Sequence, residues 1–217
     1  MTIAEKLTAV AENVPKVYNA GYEAGKAQGG NSEEAYNAGY TDGQTAEHDK
    51  FWDSFQQNGK KTACYSLFAG TGWNDDNYNP KYPINATSAA TYMFQQNSGI
   101  TSTKVPISIS VASSSVFNSC NKLKEIVSLK VTANVTFTSW FNGCTSLETI
   151  NFTEDSEIAN NINFSPCTNL SDESLPGIIN TLGGTKASTI TLPSKFNTDE
   201  YDDIIAEKPS NWTISWM

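Results

Sequence analysis

Histidine is almost missing from this chain of 217 residues, His48 being the only one. With it goes the side chain that most often serves as general base or metal ligand at neutral pH. There is also no Gly-rich phosphate loop and no nucleophile-elbow pattern, so nothing obvious remains from which to build a catalytic site, and an enzyme is the least favoured class. Cations are scarce as well: Lys and Arg number 14 against 23 Asp and Glu, for a net charge of -9. Phosphate binding needs a surplus of cations on one face, so nucleic acid is not an expected partner. No apolar run reaches membrane-span length, and Met1-Thr2-Ile3-Ala4-Glu5-Lys6 has neither the apolar core nor the cleavage site of a secretory signal. Cysteine is limited to Cys64, Cys120, Cys144 and Cys167, with no C-x-x-C pair. A zinc site wants such pairs with further Cys or His, and no metal or other cofactor is expected.

What is present is a recurring phrase. Phe117-Asn118-Ser119-Cys120-Asn121-Lys122-Leu123 returns as Phe141-Asn142-Gly143-Cys144-Thr145-Ser146-Leu147 and as Phe164-Ser165-Pro166-Cys167-Thr168-Asn169-Leu170, at spacings of 24 and 23 residues. A worn copy begins at Phe94, with Asn97 in the cysteine slot and Ile100 in the leucine slot. A fixed period of this size signals a leucine-rich-repeat type of solenoid, each period one coil. Phe, Cys and Leu at i, i+3 and i+6 suit a helical or tight-turn segment that points all three inward. The expected repeat core is therefore Phe94, Phe117, Cys120, Leu123, Phe141, Cys144, Leu147, Phe164, Cys167 and Leu170, a short stack of four coils. The three repeat cysteines should stack as small buried hydrophobes, with disulfide or metal pairing as the alternatives. Short extended runs after each leucine, at 125–127 and 148–152, can pair in parallel from coil to coil, with second strands expected at 135–137 and 158–164.

The first 50 residues are of another kind. Ile3, Leu7, Val10, Val14, Val17, Gly21 and Ala24 follow a 4-3 spacing, a heptad seam whose β-branched d positions favour three or more strands over two. Pro15 interrupts the seam and should kink or restart the helix. A second repeat, with a period of 18, places Gly21/Gly25 and Gly39/Gly43 between tyrosines. Eighteen residues make five helical turns, so both copies can face one way.

From Phe51 the chain turns aromatic, and Phe51, Trp52 and Phe55 suit a short helix covering the open end of the solenoid. The loop that follows offers Trp73, Asn74, Asp75, Asn77, Tyr78 and Tyr82 as candidate ligand-binding residues. Its aromatics can stack on sugar rings and its amides and carboxylate can bond hydroxyls; equally, Trp73 can belong to the cap and the asparagines can close Asx turns. Asn118, Asn121, Asn142 and Thr145 are further outward candidates. At the other end, Ser171 as cap with acids in the first turn should open a helix through Leu175, Ile178, Ile179 and Leu182 to Gly183-Gly184. A strand at 189–192, a helix from Thr198 and a strand at 212–216 complete the chain. The fold class expected is α+β: a coiled-coil stalk (1–50), an aromatic cap and loop (51–91), a β-solenoid (92–171) and an α/β cap (172–217).

The Phe-Asn-x-Cys-x-x-Leu phrases followed by an extended run resemble the BspA-like leucine-rich repeats of bacterial surface proteins and of phage-encoded proteins of gut bacteria. The wider layout is similar to phage and prophage proteins of gut Firmicutes: the opening through Val17-Tyr18, Phe51-Trp52-Asp53, Gly72-Trp73-Asn74-Asp75, the repeats, and the ending from Thr181-Leu182-Gly183-Gly184 through Asn211-Trp212-Thr213. That resemblance implies a structural protein of a tail or head fibre, assembled in the host cytoplasm and located on the virion. Its partners would be itself as a homotrimer, other virion proteins, and a host-surface glycan or protein, without nucleic acid or membrane. A displayed bacterial adhesin is the alternative. The resemblance carries no catalytic residue.

Overall fold

A computed structural model describes residues 62–64, 66–70, 72–76, 78, 80 and 83–217. The chain divides into two compact units, Met1–Asn58 and Gly59–Met217; every described residue belongs to the second. The heptad seam and the aromatic helix expected from Phe51 lie outside the described residues.

The second unit is a mixed α/β structure built from parallel sheets with few helices. One strand from each successive coil enters a five-stranded parallel sheet of order β1-β2-β3-β5-β7, made of β1 (Thr62–Ala63), β2 (Ile84–Ala89), β3 (Ile107–Ile109), β5 (Glu125–Val131) and β7 (Thr149–Phe152). The register stacks like on like. Ile84 pairs with Ile107 and Ile107 with Leu129; Ala86 pairs with Ile109 and Ile109 with Val131; these rows are buried, while Asn85, Ser108 and Lys130 between them face outward. Alternation of this kind is the period-2 pattern of a half-buried strand. β4 (Ser113–Ser114) and β6 (Phe137–Thr138) pair in a second, two-stranded sheet. The second strand thus starts two residues later than the apolar run at 135–137 suggests. Thr136, just before β6, donates its hydroxyl to the Ser113 carbonyl at 2.9 Å.

The third sheet, of order β10-β9-β8, comprises β8 (Ile162–Asn163), β9 (Ser188–Leu192) and β10 (Trp212–Trp216). Between β8 and β9, helix α1 (Ser174–Thr181) takes the place beside β7 that a further strand would occupy. The Ile150 N–H donates to the Ser174 hydroxyl at 3.2 Å. Leu175, Ile178, Ile179 and Leu182 are all buried, at the i, i+3, i+4, i+7 spacing of one helix face. The expected Ser171 cap is corrected: the N-cap is Glu173, without a side-chain bond, and no acid lies in the first turn. Ser171 instead donates its N–H to the Glu148 carbonyl, continuing the coil-to-coil ladder. Gly184 ends this segment with φ +76°, and a Cβ there would meet the Ala159 Cβ at 2.7 Å. A short 3-10 turn at Asp199–Tyr201 leads into helix α2 (Asp202–Ala206).

Candidate functional site

Successive coils turn at a corner built on one recurring arrangement. Its centre is a phenylalanine, and Phe68, Phe94, Phe117, Phe141 and Phe164 stack with ring centroids 5.0, 5.3, 5.9 and 4.7 Å apart. All five are buried, and burying such a ring contributes roughly 1.5–3 kcal/mol. The stack is longer than the four coils expected. Phe68 is a fifth member, and Leu192 follows at the other end, since the Phe164 N–H bonds to the Thr191 carbonyl just as Phe117 bonds to that of Trp140.

The backbone around each ring is equally regular. The residue two before it is left-handed (Ser66 φ 50°, Tyr92 61°, Ser115 54°, Ser139 56°), and so is the residue two after it (Gly70 95°, Gln96 58°, Ser119 63°, Gly143 75°). These bends aim alternate N–H groups along the stack: those of Tyr92, Phe94 and Gln96 donate to the carbonyls of Ser114, Val116 and Asn118. The fifth turn departs in both slots: Ile162 is extended within β8, and Pro166 fills the second, where a proline ring holds φ near about -65°. There Asn163 closes the turn through its side-chain oxygen, which accepts the Ser165 N–H at 2.8 Å.

Inside the corner, the residue three after the ring ties one coil to the next in three of the turns. Cys120 Sγ donates to the Phe94 carbonyl at 3.0 Å, Cys144 Sγ to that of Phe117 at 3.1 Å, and Asn97 Nδ2 to that of Phe68 at 3.1 Å. Asn97 therefore does the work of a cysteine; the copy is not worn. Its Oδ1 also accepts the N–H groups of Gly99 and Ile100. All four cysteines are free and buried. Burial pushes Cys64 and Cys144 up to about 12 and raises Cys120 and Cys167 as well. Such thiols are poor nucleophiles and poor metal ligands, since both roles need the thiolate. Among the described residues no group of three or more His, Cys, Asp or Glu could hold a metal ion, and no helix is long and apolar enough to cross a membrane.

The residues expected at the repeat core all lie inside: Phe94, Phe117, Cys120, Leu123, Phe141, Cys144, Leu147, Phe164, Cys167 and Leu170. The loop after Phe68 is more integrated than its composition suggests. Tyr78 is 0% exposed, its hydroxyl donating to the Thr103 carbonyl at 2.9 Å, so it is a core residue and not a ligand contact. Trp73 packs at right angles to the Phe68 ring, centroids 5.4 Å apart, and is half-buried. Asp75 clasps the coil beneath it: its carboxylate accepts from both the N–H and the hydroxyl of Thr101, and its carbonyl accepts from Lys104 Nζ at 2.7 Å. Asn74 Oδ1 accepts the Asp76 N–H at 2.9 Å, an Asx turn. Asn77 and Tyr82 are outside the described residues. A Cβ on Gly99 would lie 2.0 Å from the Trp73 carbonyl oxygen, so the loop and the coil touch through a gap only glycine leaves open.

Outward positions are a separate set. Asn121, Asn142 and Thr145 are exposed and Asn118 is half-buried. Beside them stand two residues not singled out from sequence, Tyr92 and Gln96, which occupy left-handed slots held elsewhere by serine or glycine. Comparing the four turns at fixed offset from the phenylalanine is the signal that would have marked them.

The family model described as a BspA type leucine rich repeat region matches residues 87–198 in six copies, just over half of the chain. Neither the curated proteins nor the solved structures compared with the chain contain a match.

Proposed function

The chain belongs to the family of BspA-type leucine-rich-repeat regions, and from that premise we propose a non-enzymatic attachment function in which the repeat stack is a rigid head that binds a cell surface. One observation carries this reading: each coil spends its Phe, Cys or Asn, and Leu or Ile on packing and leaves its polar turn residues outside. Extended outer surfaces are what stacked repeats use for binding.

The carrier we propose is a phage particle. Residues 1 to about 50 would form a parallel trimeric stalk through Ile3, Leu7, Val10, Val14 and Val17, joining the head to other virion proteins. The similarity of layout to phage and prophage proteins supports this carrier. Repeats of this type are often found in adhesin-like surface proteins, and the same head displayed on a bacterial cell would attach in the same way.

The test is adhesion of fluorescent full-length protein to gut Firmicutes cells, which should saturate and be competed by unlabelled protein; no adhesion to any strain overturns attachment. Light scattering should give a trimer, and a monomer removes the stalk. Antibodies to the chain separate the carriers, by labelling purified virions in one case and the surface of the producing cell in the other.

A further inference from the structure

Independently of the attachment surface, we infer that the outer edge of β10 is a docking site for a second protein, filled by an extended, basic segment that adds to the sheet as a further strand. β10 is the edge of the order β10-β9-β8, and its backbone bonds show which way each residue faces. The Met217 N–H donates to the Leu192 carbonyl, the Ser194 N–H to the Met217 carbonyl and the Ser188 N–H to the Asn211 carbonyl. In a parallel ladder one residue turns both its backbone groups to the same neighbour, and the next residue turns both the other way. Residues 211, 213, 215 and 217 therefore serve β9. The N–H and C=O of Ile214 and Trp216 point away from it, and no described residue bonds to them.

Nothing within β10 defends this edge. Exposed edges are ordinarily blunted by lysine, proline, a bulge or a covering helix. Trp212-Thr213-Ile214-Ser215-Trp216 has no charge and no proline, is rich in residues that favour strands, and runs against β9 without a break in register. The five-stranded sheet is treated differently, for α1 lies beside β7 and the Ser174 hydroxyl accepts the Ile150 N–H. One sheet is closed by a helix and the other is left with open backbone groups. The side chains repeat the pattern: Ile162, Ile190 and Ile214 follow one another across the sheet as buried, buried and half-buried, and Trp216 beside Leu192 is half-buried too. An added strand with an apolar residue at every second position would continue both rows.

Charge selects the occupant. The segment leading from β9 into β10 carries Asp199, Glu200, Asp202, Asp203 and Glu207, all exposed, and none of them forms an ion pair among the described residues. Against them stand only Lys195 and Lys208, and Lys195 is set over the Phe196 ring at 4.9 Å. A second copy pairing through the same edge would bring an identical acidic coil, and a whole-chain charge of -9, against the first. Like charges brought together oppose association. A basic segment is drawn in by the same field; its backbone supplies the ladder bonds, and its alternate apolar side chains set the register.

The test applies two end-blocked octapeptides to the full-length chain, one alternating Lys with Val and the other Glu with Val, and follows amide hydrogen exchange in β10. Without peptide, the Ile214 and Trp216 amides should exchange about tenfold or more faster than those of Ser215 and Met217. The Lys-Val peptide should slow them by about tenfold, less so as salt rises, and the Glu-Val peptide should not. Ile214→Pro removes an N–H that serves no bond within the sheet, so the urea midpoint should hold while binding of labelled Lys-Val peptide, read by fluorescence anisotropy, is lost. If that variant does not fold, exchange in the wild-type chain decides alone. No slowing by the Lys-Val peptide, equal slowing by both peptides, or binding that survives Ile214→Pro in a folded chain overturns the inference. Ile214 and Trp216 amides already protected in the chain alone overturn it too, concentration-dependent protection assigning the edge to a second copy and concentration-independent protection to the chain itself.

Discussion

The thiol of Cys120 donates to the carbonyl oxygen of Phe94, one coil back and 3.0 Å away. Both groups are buried, and a buried carbonyl left without a donor costs about 1–3 kcal/mol. At Asn97, Cys120 and Cys144 the slot three after the ring is thus a tie between coils, held by a side chain that donates.

Asn97 tests that statement. Removing its side chain takes the Asn97 donor from the Phe68 carbonyl and the Asn97 acceptor from the N–H groups of Gly99 and Ile100. Asn97→Ala should lower the urea-unfolding free energy by about 2–4 kcal/mol with the m-value unchanged. Asn97→Cys keeps a donor for Phe68 but loses the acceptor, and should fall between. A loss below about 0.5 kcal/mol for the alanine variant contradicts the tie, being within the range of ordinary surface changes.

The same burial makes stability depend on alkaline pH. Desolvation raises Cys144 from 9.0 to about 12 in the folded chain, so from pH 9 upward the unfolded state loses a proton that the folded state keeps. Stability is full below 9 and falls as pH rises toward 12, by about 1.4 kcal/mol per pH unit per thiol. Cys64, also raised to about 12, adds a parallel loss. Cys144→Ala should flatten the slope of stability against pH by about one proton. In the native protein at pH 8 a thiol reagent should label none of the four cysteines quickly, and denaturant should release all of them; rapid native labelling of Cys120, Cys144 and Cys167 contradicts the ladder.

Tyr78 separates packing from binding in the loop after Phe68. Tyr78→Phe removes the bond to the Thr103 carbonyl and should cost about 1–2 kcal/mol of stability, measured by thermal or urea unfolding. Adhesion of the folded variant should be unchanged. Lost adhesion with unaltered stability would place Tyr78 at a surface after all.

Much of this was legible in the chain. Phe, Cys and Leu recur in one order three times, so the coil, its inward residues and its parallel pairing followed from spacing. Phe68 did not, because Thr71 and Asn74 stand where the cysteine and leucine would be, and it read as part of an aromatic cap. Tyr78 read as exposed because Asn, Asp and Pro surround it, yet it reaches inward against the stacked rings of Phe68 and Phe94, with ring centroids 5.2 and 5.8 Å away. Local composition reports the backbone of a loop, not where one of its rings points. Ser171 read as a helix cap, but the helix starts later, at Ser174 with Glu173 in the cap position, and the Ser171 segment instead runs on in the coil-to-coil ladder with its N–H on the Glu148 carbonyl. Left-handed backbone at Tyr92 and Gln96 carries no composition signal at all, since the residues favoured there are Gly and Asn.

The central claim is that inward slots hold the stack together and outward slots attach it, and two variants measured side by side for urea midpoint and cell adhesion test it most directly. The account predicts that Asn97→Ala lowers the midpoint and, where still folded, adheres as wild type, while Asn121→Ala with Asn142→Ala, both exposed turn positions, keeps the midpoint and adheres about tenfold less. Variants that lose stability and adhesion together, or an Asn121→Ala/Asn142→Ala protein that is destabilised and still adheres, would contradict it.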